Sequence, residues 1–294
     1  MEYASQIMQY ALTGLTLGGI YSVVALGFVV IYSVTGIINF AHGECVMLGA
    51  MVSVSCLGAG FPLSLSIFTA VVAVAVFGII FEKLTVAPAK KASAVTLIII
   101  TIGAAIAIRG AALLVWGASP YPMPAFTSEQ PLYVAGATVL PQSIWVMATS
   151  TAIFGGLYLL FNKSRTGKAL RAAAMDRVAA LLMGISPQRM SSLAFGLSAA
   201  TAALAGAVVA PITTATYDMG LMLGLKGFIA ASMGGLTSVT WAILGGFFLG
   251  LLESFGAGLI SSNYKEAFAF ILLIAILFRN ALSGSRSKTV EKKV

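Results

Sequence analysis

QIMQYALTGLTLGGIYSVVALGFVVIY, residues 6–32, contains no charged side chain. A helix crosses the roughly 30 Å hydrocarbon core of a bilayer with about 20 apolar residues, so this stretch is long enough to span a membrane. Similar apolar windows, several of them carrying isolated charges such as Glu44, Arg109 and Glu253, recur at 36–58, 62–82, 93–116, 142–162, 191–211 and 241–258, with shorter ones at 221–236 and 265–279. Composition agrees: 59% of the residues are hydrophobic, 9% are charged and the mean hydropathy is +1.00, whereas ordinary soluble domains carry about 25% charged residues. The expected fold is therefore all-α, a polytopic transmembrane helical bundle of about eight to nine membrane segments, some short or broken. No polar stretch is long enough to fold separately, so residues 1–282 form one membrane domain and 283–294 a basic tail. Glycine, 31 of 294 residues, suits a bundle whose helices approach closely.

The net charge of +8 raises nucleic-acid binding, and the positions of the charges exclude it. Lys83, Lys90 and Lys91 form one cluster, Lys163, Arg165, Lys168, Arg171, Arg177 and Arg189 a second, and Arg279, Arg286, Lys288, Lys292 and Lys293 a third. Each lies between or after apolar runs, as the positive-inside rule expects of cytoplasmic loops. Setting these clusters inside puts the N-terminus outside and the C-terminus in the cytoplasm, with 117–141 as an external loop. The N-terminal segment lacks a basic leader and small-residue cleavage site, so it is expected to remain as a span. Cys45 and Cys56 show neither a CxxC spacing nor nearby histidine ligands, which indicates no metal site.

Three stretches carry unusual chemistry. In the first, Asn39, the single histidine His42 and Glu44 fall within six positions beside Gly36 and Gly43. Polar groups at membrane depth are costly and face the protein interior or a water-filled cavity. Two readings stand: Asn39 and His42 satisfy backbone groups freed at a helix break, or they line a substrate path with Glu44. In the second, Arg165–Ile185 is a basic amphipathic segment holding Arg171, Ala172, Ala173, Ala174, Asp176, Arg177 and Gly184. In the third, Tyr217, Asp218 and Lys226 flank the short apolar window, either as transient partners for a zwitterionic substrate or with Asp218 capping a helix and Lys226 snorkelling. Arg109, alone in an apolar run, is expected to satisfy carbonyls or snorkel outward.

The run GGIYSVVALGFVVIYSVTGIINFAHGE at 18–44 resembles the opening of the inner-membrane permease subunits of bacterial high-affinity branched-chain amino acid ABC transporters, the leucine/isoleucine/valine type. Further blocks follow in the same order: TIGAAIAIRGAALLVWG at 101–117, RTGKALRAAAMDRVAALLMGI at 165–185, YDMGLMLGLKGFIAASMGGLTS at 217–238 and ILGGFFLGLLES at 243–254. Departures fall at helix ends. Ser238-Val239-Thr240-Trp241 stands where similar proteins continue with a Ser-Ile-Pro-Gly turn, and Arg279–Gly284 replaces a closing Pro/Gly run.

The resemblance implies a channel-forming permease of the bacterial inner membrane, moving branched-chain amino acids or similar small solutes. Urea, short amides or aromatic acids are the alternative cargo. It also implies a second related permease subunit, two ATPase subunits that bind ATP and Mg, and a soluble substrate-binding protein. Residues 165–185 would be the coupling segment that docks on an ATPase subunit; the plainer reading is a basic loop on lipid headgroups. No GxxxxGK[ST] loop occurs, and Gly167-Lys168 is followed by Ala169, so ATP hydrolysis by the P-loop route belongs to another chain. The rivals are a secondary transporter using Glu44 or Asp218 as an ion site, and an intramembrane enzyme. Against the enzyme stand the single histidine and the lack of HExxH or GxSxG.

Overall fold

The structure is a computed structural model that describes residues 2–89, 92–128, 130–134, 136–276 and 278. Lys90, Lys91, the cluster from Arg279 and the tail 283–294 lie outside the described residues.

Ten helices follow in order: α1 Glu2–Thr35, α2 His42–Gly58, α3 Leu63–Phe81, α4 Ala94–Trp116, α5 Pro141–Lys163, α6 Arg165–Met175, α7 Arg177–Leu182, α8 Pro187–Thr213, α9 Met219–Met233 and α10 Val239–Leu259. Residues 265–276 are helical as well and are termed α11. Among the described residues six helices are long and apolar enough to cross a membrane, and α2 and α9 are shorter apolar helices. An all-α membrane bundle is thus what forms.

Burial separates the core from the rim. In the most apolar windows of α1 and α8, 89% and 78% of the residues are buried, against 22% or less in the windows at 63–86, 94–116 and 141–163. α1 and α8 are therefore the central posts, and the outer helices keep apolar faces such as Phe68, Ile99 and Leu114 exposed. A soluble protein rarely leaves apolar surface on this scale; hydrocarbon or a partner helix is its natural cover.

Small residues set the close crossings. A Cβ on Gly49 would strike the backbone of Ala203, and one on Gly206 the carbonyl of Val46, so α2 and α8 touch backbone to backbone. Gly18 on α1 and Gly250 on α10 do the same for that pair. Dispersion across such contacts replaces the hydrophobic drive that lipid removes.

The window at 36–58 does not form one helix. α1 ends where Gly36 takes φ 72°, and the chain runs irregularly to Ala41 before α2 begins at His42. Only glycine adopts that left-handed conformation without strain. From Gly36, which is exposed, the broken segment turns inward, with Ile37, Asn39 and Ala41 buried against protein, where such breaks are tolerated. A five-residue π-helical turn, Glu82–Val86, closes α3.

The 117–141 loop carries a small hairpin, Leu132–Val134 paired antiparallel with Ala137–Val139, an element the proline-rich sequence did not suggest. Gln9 of α1 binds Thr138 through both its backbone groups, at 3.0 and 2.7 Å, Ser5 donates to the Gly136 carbonyl, and Tyr121 pairs with Ala215. These contacts gather the start of α1, the hairpin and the end of α8 at one end of the bundle. At the other end Glu82 accepts from Ser191 at 2.7 Å and from Ser192 at 2.6 Å. α6, α7 and Lys83, Lys163, Arg165, Lys168, Arg171, Arg177 and Arg189 belong to elements at that same end.

Candidate functional site

The break after α1 turns the start of α2 into the bundle and sets three polar side chains there. Asn39 Oδ1 accepts from the Ala41 amide at 3.1 Å, and its carbonyl accepts from the His42 amide at 3.2 Å. His42 Nε2 donates to the Val24 carbonyl at 3.1 Å while Nδ1 lies 3.0 Å from Ser198 Oγ. Ser198 in turn lies 3.0 Å from the Gly27 carbonyl, and Phe28 packs edge-on to the imidazole at 4.9 Å between centroids. The space beside Asn39 and His42 is only about 10 Å³, at the lower limit for one water. His42 thus links α1, α2 and α8, while Asn39 holds the turn that leads into α2.

Glu44, one turn on, lies apart from them. It is 1% exposed and meets Arg109 of α4 at 2.5 Å, so Arg109 neither snorkels nor serves carbonyls as its position in the apolar run suggested. The pair borders a cavity of about 340 Å³ between α2, α4 and α9, walled by Phe40, Ile102, Ile106, Gly220 and Leu225. That volume falls in the range of small-molecule pockets, which pair apolar walls with few polar groups. Ile102 and Ile106 are 42% and 62% exposed, so the cavity opens sideways through α4. Gly43 meets Gly220 and Gly224 without side chains between them, which presses α9 against α2. Asp218 holds the N-cap position of α9 but makes no capping bond through its side chain; its charge is close enough to act on Glu44. Tyr217 packs among Met47, Met51 and Ala210.

Lys226 sits elsewhere. Its Nζ reaches Glu253 Oε1 on α10 at 2.7 Å and Tyr21 OH on α1 at 3.3 Å. Tyr21 OH donates to Glu253 Oε2 at 2.8 Å, and Lys265 approaches the same carboxylate at 3.4 Å. Lys226 is thus buried in an ion cluster with Glu253 and Tyr21 and does not snorkel.

In the 165–185 segment the sides of α6 differ. Leu170 and Ala173 are each 1% exposed and pack towards α5 and α8, so Ala173 faces its own chain. Arg171 donates to Asn162 at 3.0 Å, and Asp176 caps α7 by accepting from the Val178 and Ala179 amides at 2.8 and 3.0 Å. Ala172 is half-buried and Ala174 and Arg177 are exposed. Gly184, with φ 77°, has open space about it and ends the segment. Beside the exposed charges of this segment, a group of large apolar side chains also projects outward: Met175, Val178, Leu181, Leu182 and Met183. No group of three or more metal-ligating side chains occurs among the described residues.

The family described as "Branched-chain amino acid transport system / permease component" matches residues 10–277. The chain is similar to the high-affinity branched-chain amino acid transport system permease protein LivH of Escherichia coli K12, with 31% identity over 92% of each chain. It is 30% identical to BraD of Pseudomonas aeruginosa, a permease protein with the same description, over 92% of this chain and 94% of that one. A probable branched-chain amino acid transport permease protein LivH of Methanocaldococcus jannaschii is 28% identical over 86% of this chain and 84% of its own.

Proposed function

The chain belongs to the family of branched-chain amino acid transport permeases, and on that premise we propose that it is a channel-forming subunit of an ABC importer of the bacterial inner membrane. Its cargo is branched-chain amino acids or similar small solutes. It works with a second related permease, two ATPase subunits and a soluble substrate-binding protein, and itself performs no covalent chemistry. Similarity along nearly the whole length of both chains is the observation that carries this reading. The absent phosphate-binding loop supports it, since the energy has to come from elsewhere.

In this proposal the chain crosses the membrane nine times, counting α2, α9 and α11 with the six long helices, with its N-terminus outside and its C-terminus in the cytoplasm. The cavity beside Glu44 and Arg109 belongs to the path, and the second permease supplies the wall that α4 leaves open. The ATPase subunit grips the apolar surface of α7 and Met175, with Arg171 and Arg177 at its polar rim. Motion there passes through Leu170 and Ala173 into α5 and α8. α8 touches α2 backbone to backbone at Gly206 and Gly49, so a shift of α8 reaches Glu44 through rigid contact.

Proteoliposomes containing the complete complex test the function. Leucine uptake is expected only with the binding protein present and ATP on the ATPase side. Equal uptake from an ion gradient without ATP would establish the autonomous transporter instead.

A further inference from the structure

The Lys226 cluster and the Glu44–Arg109 pair are both buried ion sites, and their hydrogen-bond accounts differ. In the Lys226 cluster each Glu253 oxygen has a partner, Lys226 on one and Tyr21 on the other. In the Glu44 pair, Glu44 Oε2 and Arg109 Nε are both buried and have none. A buried charged atom without a partner is costly, and native proteins leave few of them. A pair serving only to pin helices has no need of two such vacancies on the border of a cavity.

We infer that Glu44 and Arg109 form a recognition point for a free α-amino acid, its ammonium going to Glu44 Oε2 and its carboxylate to Arg109 Nε. This rests on the transport reading above. The spare groups are one acceptor and one donor on adjacent, oppositely charged side chains, which is the complement of a zwitterion. Such a ligand bridges them without breaking the bond at Oε1. A carboxylate lacking an ammonium would face the Glu44 charge with nothing to satisfy Oε2. The remaining wall, Phe40, Ile102, Ile106 and Leu225, is apolar and suits a hydrocarbon side chain. Gly220 flanks Glu44 Oε2 so closely that a Cβ there would stand 3.0 Å from it, and α9 is therefore the element that has to shift to admit the ammonium.

The test uses the purified permease–ATPase complex in nanodiscs, without binding protein. Ligand-observed NMR measures binding of leucine, isoamylamine, which lacks the carboxylate, and 4-methylpentanoate, which lacks the ammonium. Wild type is expected to prefer leucine to either analogue by about tenfold or more, as a site built on paired polar groups rejects a ligand missing one. Arg109→Gln should lose the preference for leucine over the amine, and Glu44→Gln the preference for leucine over the acid. Should either variant fail to assemble, the selectivity of wild type among the three ligands still decides. Absence of leucine binding by wild type, no preference among the three ligands, or unchanged selectivity in both charge variants overturns the inference. If transport of leucine by the wild-type complex persists in those cases, the function stands and only this assignment falls.

Discussion

Lys226 of α9 and Glu253 of α10 meet at 2.7 Å inside the bundle, with Tyr21 of α1 on the second carboxylate oxygen. The contact fastens the α9–α10 pair to the central post. Removing one partner of a buried pair strands the other, typically at a cost of about 3–5 kcal/mol. Lys226→Met should therefore lower the unfolding temperature of the purified protein markedly. The double change Lys226→Met with Glu253→Leu should recover most of the loss, because an apolar replacement of the whole pair leaves little stranded charge. Thermal unfolding followed by size exclusion checks both.

His42 behaves as a structural knot. His42→Leu removes the bond to the Val24 carbonyl and the partner of Ser198, a loss of about 1–3 kcal/mol. Less folded protein is expected in the membrane, with unchanged uptake per folded molecule. A fully folded variant with no uptake would return His42 to the path.

The α2–α8 crossing leaves no room for a side chain. Gly206→Val would drive methyl groups into the Val46 carbonyl, and overpacking of this kind typically costs about 1–3 kcal/mol or more. Gly103→Val, on a face where a Cβ meets nothing within 4 Å, should be tolerated. Comparing the yields of folded protein from the two variants checks the crossing.

Much of this was readable from hydropathy, because long apolar windows have few alternatives to a spanning helix. The windows at 93–116 and 142–162 became α4 and α5 with shifts of a residue or so at their ends. Ion pairs were not readable by local spacing. Glu44 and Arg109 are 65 positions apart, and Lys226 and Glu253 are 27 apart on successive helices. The available signal was scarcity: Glu44, Arg109, Lys226 and Glu253 all lie in apolar surroundings, and each buried charge calls for an opposite one. Ala173, buried within its own chain, shows a related limit of local pattern. A small residue permits close approach, but sequence alone does not tell whether the neighbour is a partner protein or the chain's own α5 and α8.

The proposed orientation rests on the positive-inside rule, applied to the end of the bundle at which the described basic residues gather. With Cys45 and Cys56 replaced, Ser128→Cys should react with an impermeant thiol reagent from outside intact cells. Arg171→Cys should react only after the membrane is opened. Labelling of position 171 from outside would invert the topology.

The link to the ATPase is tested most directly on α7, where Leu182 and Val178 are 83% and 69% exposed. Neither packs in the core, so Leu182→Asp with Val178→Asp leaves the fold and membrane insertion intact, while an apolar contact with a partner would have to bury both new charges. Retention of the ATPase subunits and leucine uptake are measured on the same reconstituted complex. The expected result is loss of both together, with the permease subunits still paired. Full retention and full uptake would contradict the account, leaving 165–185 as a surface loop and the source of driving energy elsewhere.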